Sequence, residues 1–152
     1  MNEGGWDTYV IGTPASSAWI SPDLTASLPV RFDFRTPSGE GRVPTPDVVA
    51  VCPATFNTAN KVAAGIADNY ATSFICESIG SGIPVTMFPL VNQKLWAHPR
   101  WADSLEWLRS AKVRLLDPRT GSDDLKPVES GAGEVVAQDF RTELLTSALK
   151  LG

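Results

Sequence analysis

One histidine, two cysteines and two methionines are all that 152 residues offer of the commonest soft and acid–base groups. With His98 alone, wedged before Pro99, no Ser-His-Asp or Cys-His arrangement can be argued. There is no CxxC and no HExxH, so a protein-held metal is not expected. Cys52 falls on a predicted strand and Cys76 on a predicted helix, which makes no disulfide framework. Positive charge is also scarce. A net charge of −4 leaves no basic footprint for nucleic acid. No apolar run reaches membrane-span length, and "MNEGGWDTYV" has no basic stretch leading into an apolar one. The remaining class is a cytoplasmic globular domain, and 43% hydrophobic with 20% charged residues suits a single packed domain over 1–152.

What is present alternates between strand and helix patterns. "DVVAVCP" (47–53) is apolar without alternation, as expected of a strand covered on both faces. "DTYVIGT" (7–13), "PVTMFP" (84–89) and "KVRLLDP" (112–118) predict further strands. From Asn57 to Ile79, Val62, Ile66, Tyr70 and Phe74 recur every four residues, which predicts one long amphipathic helix. Pro99 suits the first position of a second helix with Trp101, Leu105 and Leu108 inward. "EVVAQDFRTELLTSALK" predicts a C-terminal helix over about 134–150, and 35–46 and 117–133 read as polar loops. Such alternation implies a parallel sheet with right-handed crossovers.

The chemistry concentrates where strands hand over to helices. After Cys52-Pro53 come Ala54, Thr55, Phe56, Asn57 and Thr58, then the helix. The leading N–H groups of a helix lack partners and carry partial positive charge, so they suit anions and carbonyl-type acceptors. On local pattern alone, Thr55 or Asn57 also suits a plain helix cap. Asn92 stands just past the strand ending at Pro89, on the same sheet edge as Asn57, so the two amides can face one crevice; it also suits a turn. Thr13 ends the first strand in a Thr-Pro turn, its hydroxyl available to the same edge. His98 reads as a helix cap.

Two of these segments resemble a known family. "PATFNTANKVAAGIADN" (53–69) resembles the PASANT-type segment of the homo-oligomeric flavin-containing cysteine decarboxylases, and "PLVNQKLWAHP" (89–99) resembles their P-x-M-N-x-x-M-W segment. The likeness runs from about Gly5 to Pro118 and is closest to a less characterised branch called simply flavoproteins. It implies an α/β, Rossmann-like, doubly wound parallel sheet in three α/β/α layers. It also implies bound FMN, commonly at a subunit interface in trimers or multiples of trimers. Ala54, Thr55, Asn57 and Thr58 would contact the flavin, and Thr13 would lie towards its phosphate or ribitol. Asn57 and Asn92 would hold a substrate carboxylate.

The departures bear on the reaction. Residues 29–50 contain no histidine where the family carries an active-site one, and 117–133 contains no flap cysteine. Val91 and Leu95 replace methionines, and Phe56 replaces a small residue, which narrows the pocket. Cysteine decarboxylation by the family route is therefore not expected. The family also begins with a strand, a Gly/Ser-rich phosphate loop and a helix, whereas the likeness starts after all three. "MNEGG" reads as the closing turn of a helix. The expectation is a fold lacking its first strand and helix, whose strands at 7–13 and 47–53 have lost a shared neighbour. The leading functional reading is an FMN-binding oxidoreductase or decarboxylase acting on a small carboxylate- or thiol-bearing substrate or a peptide C-terminus. The alternatives are a non-catalytic oligomeric regulatory module and a truncated inactive fragment.

Overall fold

The computed structural model describes residues 5–20, 22–34, 36, 43–131 and 142–150. Residues 1–4, on which the "MNEGG" reading falls, and 134–141 of the expected C-terminal helix lie outside these.

Every strand pair among the described residues is parallel, and helices carry the chain between them. Strand β1 (Val10–Ile11) pairs with β2 (Val30–Arg31) after a 3₁₀ turn at Pro14–Ser16 and helix α1 (Pro22–Ser27). Strands β3 (Val49–Ala54), β4 (Val85–Pro89) and β5 (Arg114–Leu115) form a second sheet in that order. Helices α2 (Phe56–Ala63) and α3 (Tyr70–Gly80) connect β3 to β4, and α4 (Gln93–Trp96) and α5 (Pro99–Ser110) connect β4 to β5. Helix α6 (Thr142–Lys150) packs beside β3. The alternation of Val30, Phe32 and Phe34 was the available signal for β2, which the strand reading of the sequence passed over.

Strand β4 is buried along its whole length, as the central strand of three should be. Strand β3 is different. Ala50, Cys52 and Pro53 reach solvent, so its apolar run is not covered on both faces as expected. Ala50 and Cys52 alternate with half-buried Val49 and Val51, so one face of β3 is open, and among the described residues β3 is an edge strand paired only with β4.

The single long helix expected from 57 to 79 is two. Gly65 takes φ +68, a conformation that a Cβ disfavours. Its N–H donates to Val62, and that of Ile66 donates to Lys61, closing α2 in a Schellman motif. Asn69 then opens α3 with a reciprocal capping box to Thr72. The four-residue spacing continued across the break because Ile66 belongs to the turn, where it is 46% exposed. In α5, Trp101, Leu105 and Leu108 are buried as expected. Ser104 lies among them and donates to Asn60 Oδ1 at 2.6 Å, tying α5 to α2. The core gathers Ala59 and Val62 of α2, Ile75 of α3, Val85 and Met87 of β4, and this face of α5.

Candidate functional site

Helix α2 starts directly after Thr55, and α4 starts four residues after β4 ends. Because β3 and β4 are parallel neighbours, both helix N-termini open at the same carboxyl edge of the sheet. Thr55 is the α2 cap. Its Oγ1 accepts from the Thr58 N–H at 3.3 Å and lies 3.0 Å from the Thr58 hydroxyl. Asn57, at the second helical position, is exposed, and its side chain makes no hydrogen bond among the described residues. Asn92 caps α4, its Oδ1 accepting from the Leu95 N–H at 3.0 Å. That leaves the Asn92 Nδ2 as a donor with no partner among the described residues.

Thr55, Phe56 and Asn57 on one side and Leu90, Val91, Asn92 and Leu95 on the other line a cleft of about 240 Å³. The two asparagines therefore meet at one opening, as the strand-end argument expected. Ala54 does not show its side chain there. It is fully buried, and its carbonyl accepts from the Leu90 N–H at 3.0 Å. Thr58 lies beneath the rim, its hydroxyl engaged with Thr55. Thr13 stands at the end of β1 in the other sheet, half-buried, and is not among the residues lining the cleft. Its side chain makes no cap bond, while the Ser16 and Ser17 hydroxyls turn back onto the Thr13 and Pro14 carbonyls.

The apolar wall has support beneath it. Phe56 stacks on Trp101 with ring centroids 5.5 Å apart and meets the His98 ring edge-on at 5.8 Å. Trp96 lies 5.5 Å from Trp101 on the other side. The narrowing expected of Phe56 is thus a ring shared between the cleft and an aromatic cluster. His98 Nδ1 accepts from the Arg100 N–H at 3.2 Å, so the only histidine caps α5 as expected.

The ionisable groups sort themselves by environment. Cys52 shows surface to solvent, yet desolvation by the surrounding protein pushes its thiol up to about 11, so it is protonated at neutral pH. Burial raises the Cys76 thiol as well. Burial of Asp117 would raise its carboxyl, but hydrogen bonds and charge from Arg119 outweigh that and hold it below its ordinary value. Among the described residues no three His, Cys, Asp or Glu side chains gather as metal ligands, and no helix is long and apolar enough to cross a membrane.

The family model described as Flavoprotein matches residues 34–138, well over half of the chain. The chain belongs to the flavoprotein family. Among curated relatives, this flavoprotein is 34% identical over 98 residues to the coenzyme A biosynthesis bifunctional protein CoaBC of Mycobacterium tuberculosis. That match covers 64% of this chain and 22% of the relative, so the flavoprotein spans about a fifth of the length of that protein. Among solved structures it resembles the FMN-dependent cysteine decarboxylase TvaF from thioviridamide biosynthesis, with a TM-score of 0.60 and 26% identity. The match covers 72% of this chain and 71% of TvaF. A PPC decarboxylase mutant complexed with pantothenoylaminoethenethiol shares the fold, with a TM-score of 0.60, 20% identity, and 93% and 84% of the two chains covered. The Rossmann-like α/β fold and the relation to the flavin-containing cysteine decarboxylases implied by the two Asn segments both stand.

The cleft suits a flavin edge. Its donors are uncharged amides, Asn57 has no side-chain partner among the described residues, and its walls are the flat or aliphatic surfaces of Phe56, Leu90 and Val91. An isoalloxazine presents the complement, an apolar plane rimmed by carbonyl acceptors.

Proposed function

We propose that this flavoprotein binds FMN at the cleft between α2 and α4 and acts there on a small carboxylate- or thiol-bearing substrate or a peptide C-terminus. The observation that carries the reading is that Asn57, with no side-chain partner among the described residues, and Asn92 line one partly apolar opening at the carboxyl ends of adjacent parallel strands. The likeness to the FMN-dependent decarboxylase TvaF supports the choice of flavin. The residues proposed to hold the flavin are Ala54 through its backbone, Thr55, Asn57 and Thr58, and Thr13, although it does not line the cleft, is proposed to serve the ribitol or phosphate.

Bound FMN would supply the electron acceptor for an oxidative decarboxylation or related oxidation. The chain's own part is binding and orientation. Asn57 donates to a carbonyl-type acceptor without placing a charge beside an anionic cofactor. Asn92 donates through Nδ2 to a substrate carboxylate while its Oδ1 stays locked by Leu95, so the amide cannot turn over and present its acceptor. Phe56 and Leu90 exclude water from the wall. We also propose a homo-oligomer, a trimer or a multiple of trimers, in keeping with the family.

The test is reconstitution with FMN, followed by a screen of cysteine-ended peptides and small thiol-bearing carboxylates for flavin reduction and CO₂ release. Turnover in which Asn92→Ala keeps the flavin but loses at least about tenfold in kcat/KM is the expected outcome. A protein that holds flavin and turns over equally well with Asn92→Ala removes Asn92 from the reaction.

A further inference from the structure

The segment 117–128 has no catalytic signature in the sequence, yet it is tightly organised and ends at the cleft. Asp117 is 2% exposed. Its Oδ1 accepts from Arg119 Nε at 3.0 Å and from the Arg119 backbone N–H at 2.9 Å. Its Oδ2 accepts from Arg119 Nη2 at 2.6 Å. The same Nη2 reaches the Lys126 carbonyl at 3.4 Å, so one guanidinium spans both ends of the loop. The Asp117 backbone closes the turn between them, donating to Ser122 and accepting from Gly121, both at 2.8 Å. Two residues past Lys126, Val128 donates to the Val91 carbonyl and accepts from the Gln93 N–H, each at 3.0 Å. These two bonds bracket Asn92, which forms the parallel bridge with Val128.

Hydrogen bonds from the buried carboxylate thus reach the Lys126 carbonyl, two residues of chain lead on to Val128, and Val128 bonds to the residues on either side of Asn92. We propose that Asp117 and Arg119 are positioning residues for the cleft, holding the loop so that Val128 fixes Asn92 at its rim. The role deepens the flavin-site reading and rests on it only for the purpose Asn92 serves; the mechanical linkage stands apart from any ligand. A buried carboxylate is costly to desolvate, and replacing such a pair with apolar groups is often neutral for stability. Its contribution is therefore sought in geometry. Lysine would keep the charge but could not bond both carboxylate oxygens and the Lys126 carbonyl from one planar fork.

Amide hydrogen exchange on the flavin-free protein tests the linkage. Arg119→Ala should speed exchange at Val128 and Gln93 by about tenfold or more beyond any change at Val49, whose N–H bonds to Pro84 in the other half of the sheet. Ile75→Ala, a core truncation away from the loop, should speed exchange at all three sites in parallel. Arg119→Lys should fall between wild type and Arg119→Ala. The Asn92 side-chain amide signals should move in Arg119→Ala and stay put in Ile75→Ala. Parallel changes at all three amides in Arg119→Ala, or an unmoved Asn92 signal, would overturn the proposal. Because no flavin is present, failure here is separable from failure of the FMN reading, which would show as wild-type protein that binds no FMN.

Discussion

At the scale of single residues, identity and position do different work. Asn57 and Asn92 are the same residue type at the start of two helices, yet only Asn92 is used as a cap, because Thr55 already occupies the capping position of α2. Asn57 falls one residue inside α2, past its cap, and the proposed site is read from the amide this leaves over. Asp117 shows the opposite case, a charged residue kept buried by one neighbour. Its carboxyl is held below the unfolded value of about 3.9, so the stabilisation is fully present above that value and is lost as pH falls through the lower folded one. Asp117→Asn should cost about 1–3 kcal/mol at neutral pH, and denaturant melts should show the gap to wild type closing below about pH 4. A gap that persists undiminished in acid would mean that the charge is not what matters.

At the scale of elements, the legible parts were those whose signal is local. Pro99 with the 101/105/108 spacing placed α5, and the apolar runs placed β3 and β4. The helix from 57 to 79 was misread because hydrophobic spacing does not register a chain reversal at Gly65. The exposure of β3 was missed because an apolar run says nothing about which strands are available beside it. Asn57 and Asn92 were legible as site candidates from their place at strand ends. Leu90 as a wall, and the loop that pins Asn92, were not, since both depend on pairing across distant segments. Helix α5 ends in the same motif as α2, but with Lys112 at φ 63 where glycine is usual. Its N–H donates to Arg109, and that of Val113 donates to Leu108. Lys112→Gly should therefore stabilise the fold by about 0.5–1 kcal/mol in denaturant melts, and a loss of stability would contradict the left-handed assignment. Gly121 is the other constrained turn. A Cβ there would lie 2.7 Å from Leu144 Cδ2 in α6, with φ at +71. Gly121→Ala should cost about 1–3 kcal/mol, partly by loosening α6 from the loop.

At the scale of the molecule, the described parallel strands of this flavoprotein fall into two sheets, and the proposed site lies at the carboxyl edge of the larger one. The proposed site combines two uncharged amides, an aromatic wall backed by Trp101 and a loop tied by an ion pair, and its proposed ligand is planar and carbonyl-rimmed. The proposed assembly has a direct readout: light scattering should give a mass near a multiple of three 16.3 kDa chains, and a monomeric mass would contradict it. The central claim is that the α2 N-terminus with Asn57 holds the flavin. Titration of the purified protein with FMN, followed by quenching of flavin fluorescence, addresses it most directly. The expected result is saturable binding of one FMN per chain, weakened about tenfold or more in Asn57→Asp, where a carboxylate would face the flavin carbonyls. A wild-type protein that binds no FMN, or an Asn57→Asp variant that binds it as tightly as wild type, would contradict the account.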